Sequence, residues 1–115
     1  MGGLTRELTP NNRTILHNVL ISNWPPLTCH YVTDDEIFNF FKKYYDEVHE
    51  AFPERDIDGF GRHYLHYAAR YMRYKVFKYI LQELEKEEEY ISIKTILNQT
   101  DEKGRTVFRY LVFFF

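Results

Sequence analysis

The feature that most constrains the fold is a turn joined directly to a helix at residues 58–69, Asp-Gly-Phe-Gly-Arg-His-Tyr-Leu-His-Tyr-Ala-Ala. Gly59 and Gly61 allow the positive φ that a tight turn needs, and Asp58 can accept hydrogen bonds from the backbone that follows it. The end of the segment places a leucine and two alanines on one helical face. We therefore expect a turn, then a helix, then close packing against a neighbouring helix.

Two degraded copies of this pattern flank it, at residues 9–20 and 101–112. Asn12 stands in the first copy where Gly61 stands in the middle one, and Asn is the next-best residue for a left-handed conformation. Gly104 holds the same place in the third copy. The chain is therefore predicted to be built from repeated helix–turn–helix units, of which the third is incomplete.

The middle copy resembles the start of an ankyrin repeat, whose pattern is Asp-x-x-Gly-x-Thr-Pro-Leu-His-x-Ala-Ala. The matching residues are Asp58, Gly61, Leu65, His66, Ala68 and Ala69, while His63 and Tyr64 replace the Thr and the Pro. The resemblance implies an all-α, ankyrin-like helix-turn-helix repeat stack of about two and a half irregular repeats, forming a single domain over residues 1–115. The repeats would cover about residues 9–52, 56–97 and 101–115. Their spacing is longer than the family's period of about 33 residues.

Helical spacing of apolar residues predicts the helices that follow each turn. Thr33 and Glu36 form a capping-box pattern, and Pro53 marks where that helix must already have ended. The predicted helices cover about residues 33–51, 64–71, 74–87 and 91–97. In the third copy, Phe113 is expected where a second helix would begin.

In the ankyrin family the histidine of the pattern braces the turn through backbone groups and the nearby Thr side chain. The resemblance gives this role to His17, with Thr14 as its partner, and to His66. Because His63 replaces the Thr beside His66, the usual partner is expected to be missing there. A metal site or a small enzyme using His63 and His66 is the alternative, although no third ligand lies at a recognisable spacing.

Other chemistry-bearing residues have simpler structural interpretations. Asp56 and Asp58 resemble a carboxylate pair, but within this turn they are expected to brace the backbone. The adjacent Cys29 and His30 lack the further ligands that a zinc site needs. The sequence contains no Gly-rich phosphate loop and no nucleophile elbow. We therefore predict no catalytic residue, no metal and no cofactor.

The composition limits which binding partners and which cellular compartment we expect. A net charge of −2 gives no argument for nucleic acid, although residues 70–78 interleave basic and aromatic side chains. The single cysteine favours a reducing compartment, and no apolar run is long enough for a membrane span. We expect an intracellular protein of the cytoplasm or nucleus that binds neither nucleic acid nor membrane. The aromatic content of 18% predicts a core of large rings, with a Tyr-rich contact surface as the alternative.

Two segments of the sequence, the charge run at residues 85–89 and the apolar C-terminal end, each allow more than one interpretation. The charge run at residues 85–89 is either a solvated helix end or an acidic docking patch. The apolar end of the chain, Phe113, Phe114 and Phe115, fits a fragment of a longer array, a self-capping tail or a self-association site. A subunit of a larger ankyrin scaffold that forms a homodimer through this tail is therefore an alternative interpretation.

What the resemblance implies about function is a non-catalytic protein–protein interaction module. Ankyrin proteins bind through the turn tips and the exposed side of the first helix of each repeat. Among the residues at those places, the predicted partner-binding set is Phe60, Arg62, Arg70, Tyr71, Arg13, Lys103 and Arg105. The short array of degenerate repeats is also similar to virus-encoded inhibitors of the IκB type, which implies a Rel/NF-κB-type transcription factor as partner.

Overall fold

A computed structural model describes residues 12–21, 33–86 and 91–114; at residues 91, 92 and 112–114 it describes the backbone alone. The described residues form six α-helices and one 3-10 helix, with no strand among them, so the all-α prediction is confirmed. The helices are α1 (Ile15–Leu20), α2 (Asp34–Ala51), α3 (Tyr64–Arg70), α4 (Tyr74–Lys86), α5 (Ile91–Asn98) and α6 (Val107–Phe114), with the 3-10 helix at Pro53–Asp56. None of these helices is long and apolar enough to cross a membrane.

The helices lie in two rows. Helices α1, α3 and α6 pack side by side in one row, and α2, α4 and α5 pack side by side in the other. Contacts between α1 and α2, α3 and α4, and α5 and α6 join the rows into one core. Each of the three pattern copies supplies one helix of the first row, which places the three turns next to one another.

The three turns begin their helices in the same way. Asn12, Gly61 and Gly104 have φ values of 57°, 78° and 76°, and each lies two residues before the residue that caps a helix of the first row. Because the left-handed region is costly for most residues, this shared conformation explains why Gly or Asn recurs there. Gly61 has a second constraint, since a Cβ atom on it would lie 3.1 Å from the main-chain oxygen of Thr100.

Local signals also explain helix α2. The Thr33 hydroxyl accepts a hydrogen bond from the Glu36 backbone N–H at 3.2 Å, as the capping pattern predicted. The helix ends at Ala51, two residues before Pro53, also as predicted. Its apolar residues recur at helical spacing and bury one face against α1 and α4.

Helix α3 is the centre of the fold, because every residue from Tyr64 to Ala69 is buried. It contacts α1, α4 and α6. Ala68 and Ala69 are each 1% exposed, so the predicted close approach at the small residues is confirmed. Around the helix lies a cluster of rings, in which Tyr64 meets Phe41 edge-to-face at 5.4 Å between ring centroids. The predicted aromatic core is therefore confirmed.

The C-terminal unit differs from the other two. Helix α6 continues to Phe114, so Phe113 extends the first-row helix and the expectation that a second helix begins there was wrong. Phe108 takes the place of the buried leucines of the other copies, yet it is 55% exposed. The side chains of Phe113 and Phe114, all of Phe115, and the Cys29-His30 pair lie outside what the structure describes, as do residues 87–89 of the acidic run.

Candidate functional site

The second and third turns are built by the same hydrogen bonds. Asp58 Oδ1 accepts from the backbone N–H groups of Phe60 and Arg62, both at 2.9 Å. Asp101 Oδ1 accepts from those of Lys103 and Arg105, again both at 2.9 Å. The predicted role of Asp58 as a turn brace is confirmed, and the third turn repeats it.

The second carboxylate oxygen of each aspartate joins one turn to the turn before it. The Tyr67 hydroxyl donates to Asp58 Oδ2, and the same hydroxyl accepts from Arg13 Nε of the first turn at 2.9 Å. Arg13 Nε lies 3.9 Å from Asp58 Oδ2. We call Arg13, Asp58 and Tyr67 the first clasp. Because the Asp58 side chain is fully buried, these partners replace the water that its charge would otherwise need.

A second clasp, formed by Arg62, Asp101 and Tyr110, repeats this arrangement one turn later. The Tyr110 hydroxyl donates to Asp101 Oδ2 at 2.5 Å, and Arg62 Nε lies 3.8 Å from the same oxygen. Burial would raise the pKa of Asp101, but the hydrogen bonds from Tyr110 and Arg105 outweigh it and lower that pKa well below its usual value. In both clasps an arginine of one turn therefore meets a buried carboxylate of the next.

The third turn has an arginine at the same place, but its contact is different. Arg105 follows Gly104 as Arg62 follows Gly61. Its Nε donates to Asp101 Oδ2 of its own turn at 2.9 Å. Arg105 therefore pairs within its own turn, whereas Arg13 and Arg62 each lie against the aspartate of the next turn.

Two histidines also join successive turns. His17 Nδ1 accepts from the Thr14 backbone N–H at 3.0 Å, and its Nε2–H donates to the main-chain oxygen of Asp56 at 3.0 Å. His66 makes the equivalent bonds, accepting from the His63 N–H at 2.9 Å and donating to the Arg105 carbonyl at 3.3 Å. The turn-bracing role of both histidines is confirmed. Burial lowers the pKa of His17 to about 4 and lowers that of His66, so both rings are neutral at pH 7.

His63 stands at the N-cap of α3. Its Nδ1 accepts from the Leu65 backbone N–H at 3.1 Å, which is the N-cap role that Thr14 has in the first unit. The Thr14 hydroxyl also lies 3.1 Å from His17 Nδ1, whereas His66 Nδ1 bonds the His63 backbone, as the replacement of Thr by His predicted. Because His66 uses both ring nitrogens, the pair offers no shared metal site, and no group of three metal-ligating side chains occurs among residues 12–21, 33–86 and 91–114. Asp56, the other predicted turn brace, instead contacts His49 Nδ1 at 2.6 Å through Oδ2.

A small pocket lies between the second and third turns. Its volume is about 90 Å³, and it includes four of the residues predicted to contact a partner: Arg62, Arg70, Tyr71 and Arg105. His66, Tyr67 and Tyr110 complete its walls. The Arg70 guanidinium lies 5.0 Å from the centre of the Tyr71 ring. All four predicted residues are half-buried, so their polar ends reach solvent from well-packed stems.

Phe60 extends this surface towards the first turn. The guanidinium groups of Arg13 and Arg62 lie 5.8 and 5.2 Å from the centre of its ring. The structure thus brings together six of the seven predicted contact residues on one surface across the three turns. We call it the arginine–aromatic face; its residues are Arg13, Phe60, Arg62, Arg70, Tyr71 and Arg105. Lys103 is exposed at the tip of the third turn.

Three clasp residues were missed by sequence reasoning: Tyr67, Asp101 and Tyr110. The signal was nevertheless present, because the pattern Asp-x-x-Gly-Arg-x-x-x-x-Tyr occurs at residues 58–67 and again at 101–110. A tyrosine at this fixed distance from a turn aspartate would have indicated a partner for the carboxylate.

The basic and aromatic residues considered for nucleic acid do not form one free surface. Arg73 is 7% exposed, bonds the Leu20 carbonyl at 3.0 Å and pairs with Asp34. Lys75 pairs with Asp35. These pairs lie at a cleft of about 370 Å³ between the start of α2 and the start of α4. Of the four basic residues in the segment 70–78, Arg73 and Lys75 are therefore already paired with carboxylates.

Comparison of the chain with protein-family models, with curated proteins and with solved structures finds no match.

Proposed function

We propose that this chain is a non-catalytic protein–protein interaction module, an ankyrin-like stack of helix–turn–helix units that binds its partner through the arginine–aromatic face. The observation that carries the proposal is the gathering of six turn and helix-end residues on one surface. Arg and Tyr dominate the energetics of protein interfaces, and this surface combines them with the half-buried ring of Phe60. The rigid turns beneath it, joined by clasps and histidine bonds, hold these side chains in place before a partner arrives.

The ankyrin-like form of the proposal is supported by the recurrence of the pattern and by its local chemistry. Each unit has a residue of positive φ, a polar N-cap and a first-row helix. The histidine in the first two units bonds a carbonyl group of the following unit. Such contacts between neighbouring units are what a repeat stack requires, because no unit can bury its core alone.

The narrower form of the proposal takes the partner to be a Rel/NF-κB-type transcription factor. Its support is the similarity of this short array of degenerate repeats to virus-encoded inhibitors of the IκB type. On this proposal the protein acts inside the cell, in the cytoplasm or the nucleus. A purified Rel homology domain should then bind the chain with one-to-one stoichiometry in isothermal calorimetry.

The test compares three forms of the full chain as baits in lysate of cultured mammalian cells. The wild type and the control Lys94→Ala should capture the same protein, identified by mass spectrometry, and Arg70→Ala/Tyr71→Ala should lose it. Lys94 is exposed on α5, so its removal changes charge away from the face. Arg62 is unsuited to this test because it belongs to the second clasp. Equal capture by all three baits, with unchanged circular dichroism, would refute the assignment of the face.

Self-association is a second candidate, favoured by the exposure of Phe108. This residue is 55% exposed on α6, the helix that leads into Phe113 and Phe114. Exposed apolar surface at the end of a repeat stack marks a contact site. Light scattering should then find a homodimer that becomes monomeric in Phe108→Ser and in a chain without residues 113–115. A monomeric wild type at about 100 μM would exclude this candidate.

A further inference from the structure

Three buried histidine rings lie at the starts of two first-row helices. His17, His63 and His66 are 0%, 1% and 1% exposed. His17 belongs to the first turn of α1, His66 to the first turn of α3, and His63 is the N-cap of α3. We call these three residues the buried histidine cluster. The ring of His66 also lines the pocket that contains Arg62 and Arg105, so the cluster adjoins the arginine–aromatic face.

Each ring of the cluster uses Nδ1 to accept a hydrogen bond from the main chain. His17 Nδ1 accepts from the Thr14 N–H at 3.0 Å. His66 Nδ1 accepts from the His63 N–H at 2.9 Å, and His63 Nδ1 accepts from the Leu65 N–H at 3.1 Å. A protonated imidazole carries a hydrogen on both nitrogens. Protonation would therefore set a donor against a donor at the start of α1 and twice at the start of α3.

The charges around the cluster offer little compensation for an added proton. The groups that face it are Asp56 with His49, Asp58 with Arg13, Asp101 with Arg62, and the phenols of Tyr64, Tyr67 and Tyr110. Asp58 and Asp101 are already held in the two clasps, and Asp56 Oδ2 already contacts His49 Nδ1 at 2.6 Å. Burial, and then the neighbouring histidines, lower the pKa of His63 well below 6.5. The stacked turns therefore keep the cluster neutral in mild acid.

The rings can reach water only when the turns separate. His17 Nε2 donates to the main-chain oxygen of Asp56, and His66 Nε2 donates to the Arg105 carbonyl, so each ring joins one unit to the next. Once the turns are apart, each ring regains a pKa near 6.5. The separated state then binds up to three protons that the stacked state does not bind. Acid should thus favour separation more steeply than one histidine could achieve.

We propose that the buried histidine cluster is an acid-sensitive switch, which keeps the turns stacked at neutral pH and separates them in mild acid, so that the arginine–aromatic face comes apart and releases its partner. The inference rests on the proposed function for the partner alone, because the separation of the turns is a property of this chain. Among helices α2, α4 and α5, the second row, the histidine present is His49, whose side chain is 22% exposed. We therefore expect the first-row turns to open as a local unit, before the second row unfolds.

The test is hydrogen exchange of the full chain, followed amide by amide by nuclear magnetic resonance from about pH 7 to about pH 5. The reporters are the turn amides that bond the two aspartates, those of Phe60, Arg62, Lys103 and Arg105. Residues 40–46, in the middle of α2, are the internal control. The protection factors of the turn amides should fall about a thousandfold over this range. At every pH the α2 amides should stay at least about tenfold better protected.

Substitutions then count the protons. His17→Gln and His66→Gln each remove one titrating ring, and each should make the fall smaller; for His17, whose pKa is lowered from 6.5 to about 4, the difference is about twentyfold. If either variant fails to fold, His63→Asn replaces it, because Asn is a favoured N-cap residue. Unchanged turn protection between the two pH values, or the same fall in the variants as in the wild type, would overturn the proposal. Equal protection of turn and α2 amides at every pH would also overturn it, because the chain would then unfold only as a whole.

The switch and the interaction module can fail separately. A partner captured at about pH 7 and still held at about pH 5 by a chain whose turns have opened would overturn the release. Turns that open in acid, without any captured partner at either pH, would overturn the interaction module and leave the switch.

Discussion

Acidification should destabilise the fold through His17. The ring is fully buried between Tyr64 and Tyr67, and both its nitrogens are used by backbone groups that require the neutral form. Burial lowers the pKa of His17 from 6.5 to about 4; the Asp58 carboxylate opposes this shift and Arg13 adds to it. In the unfolded chain the same ring regains its ordinary pKa.

The sign follows from where the proton binds. Between pH 6.5 and 4 the His17 ring is protonated in the unfolded state but stays neutral in the folded state. The contribution of His17 to the free energy of unfolding is therefore full above pH 6.5 and falls as the pH drops towards 4. Lowering the pH from about 7.5 to about 5 should cost about 2 kcal/mol from His17 alone. Buried His63 and His66, whose pKa values are also lowered by burial, add to the loss.

The assay is urea unfolding followed by circular dichroism at both pH values and constant salt. His17→Gln isolates the contribution, because its amide offers an acceptor and a donor but does not titrate. The variant should lose about 2 kcal/mol less than the wild type between the two pH values. Equal losses in the two proteins would refute the reasoning, since His17 would then not be the group that binds the proton.

Three further outcomes are expected in thermal and urea unfolding. Gly104→Ala should cost about 1 kcal/mol from its positive φ alone, and Gly61→Ala distinctly more, because its Cβ would also meet a main-chain oxygen at 3.1 Å; equal costs would contradict the packing at Gly61. Asp101→Asn should cost about 2 kcal/mol and Arg62→Gln about 1 kcal/mol, and the double variant should cost less than their sum, which additivity in a double-mutant cycle would disprove. Thr33→Ala should cost about 1 kcal/mol through loss of the α2 N-cap, whereas an unchanged midpoint would show that this hydroxyl is not needed.

The clasps matter because they couple the turns electrostatically. Each one unites an arginine, an aspartate and a tyrosine from two successive units, and its carboxylate is fully buried. Removing one partner of such a group leaves a charge without compensation, which costs more than the intact contact gains. We therefore expect a substitution in one turn to shift the half-buried contact residues of the next turn.

Much of the helical architecture was predictable because its signals are local. The capping residue Thr33, the stop before Pro53 and the positive φ at Gly61 and Gly104 are each decided within a few residues of the chain. Apolar spacing predicted α4 and the short helix α5 within a residue or two of their observed bounds. The repeat of the pattern likewise predicted that Asp58 braces its own turn, since both atoms of each bond lie in one short segment.

The candidate site depended on distances that no local rule contains. Arg13 meets Tyr67, and Arg62 meets Asp101, only because α1, α3 and α6 stack in one row at a separation set by their side chains. Packing of the two rows also decided that Arg73 is buried while Phe108 is exposed, against their usual preferences. Short-range chemistry along the chain thus determined the turns and helices. Their stacking decided which charges meet, because contacts between distant residues depend on packing geometry rather than on spacing in the sequence.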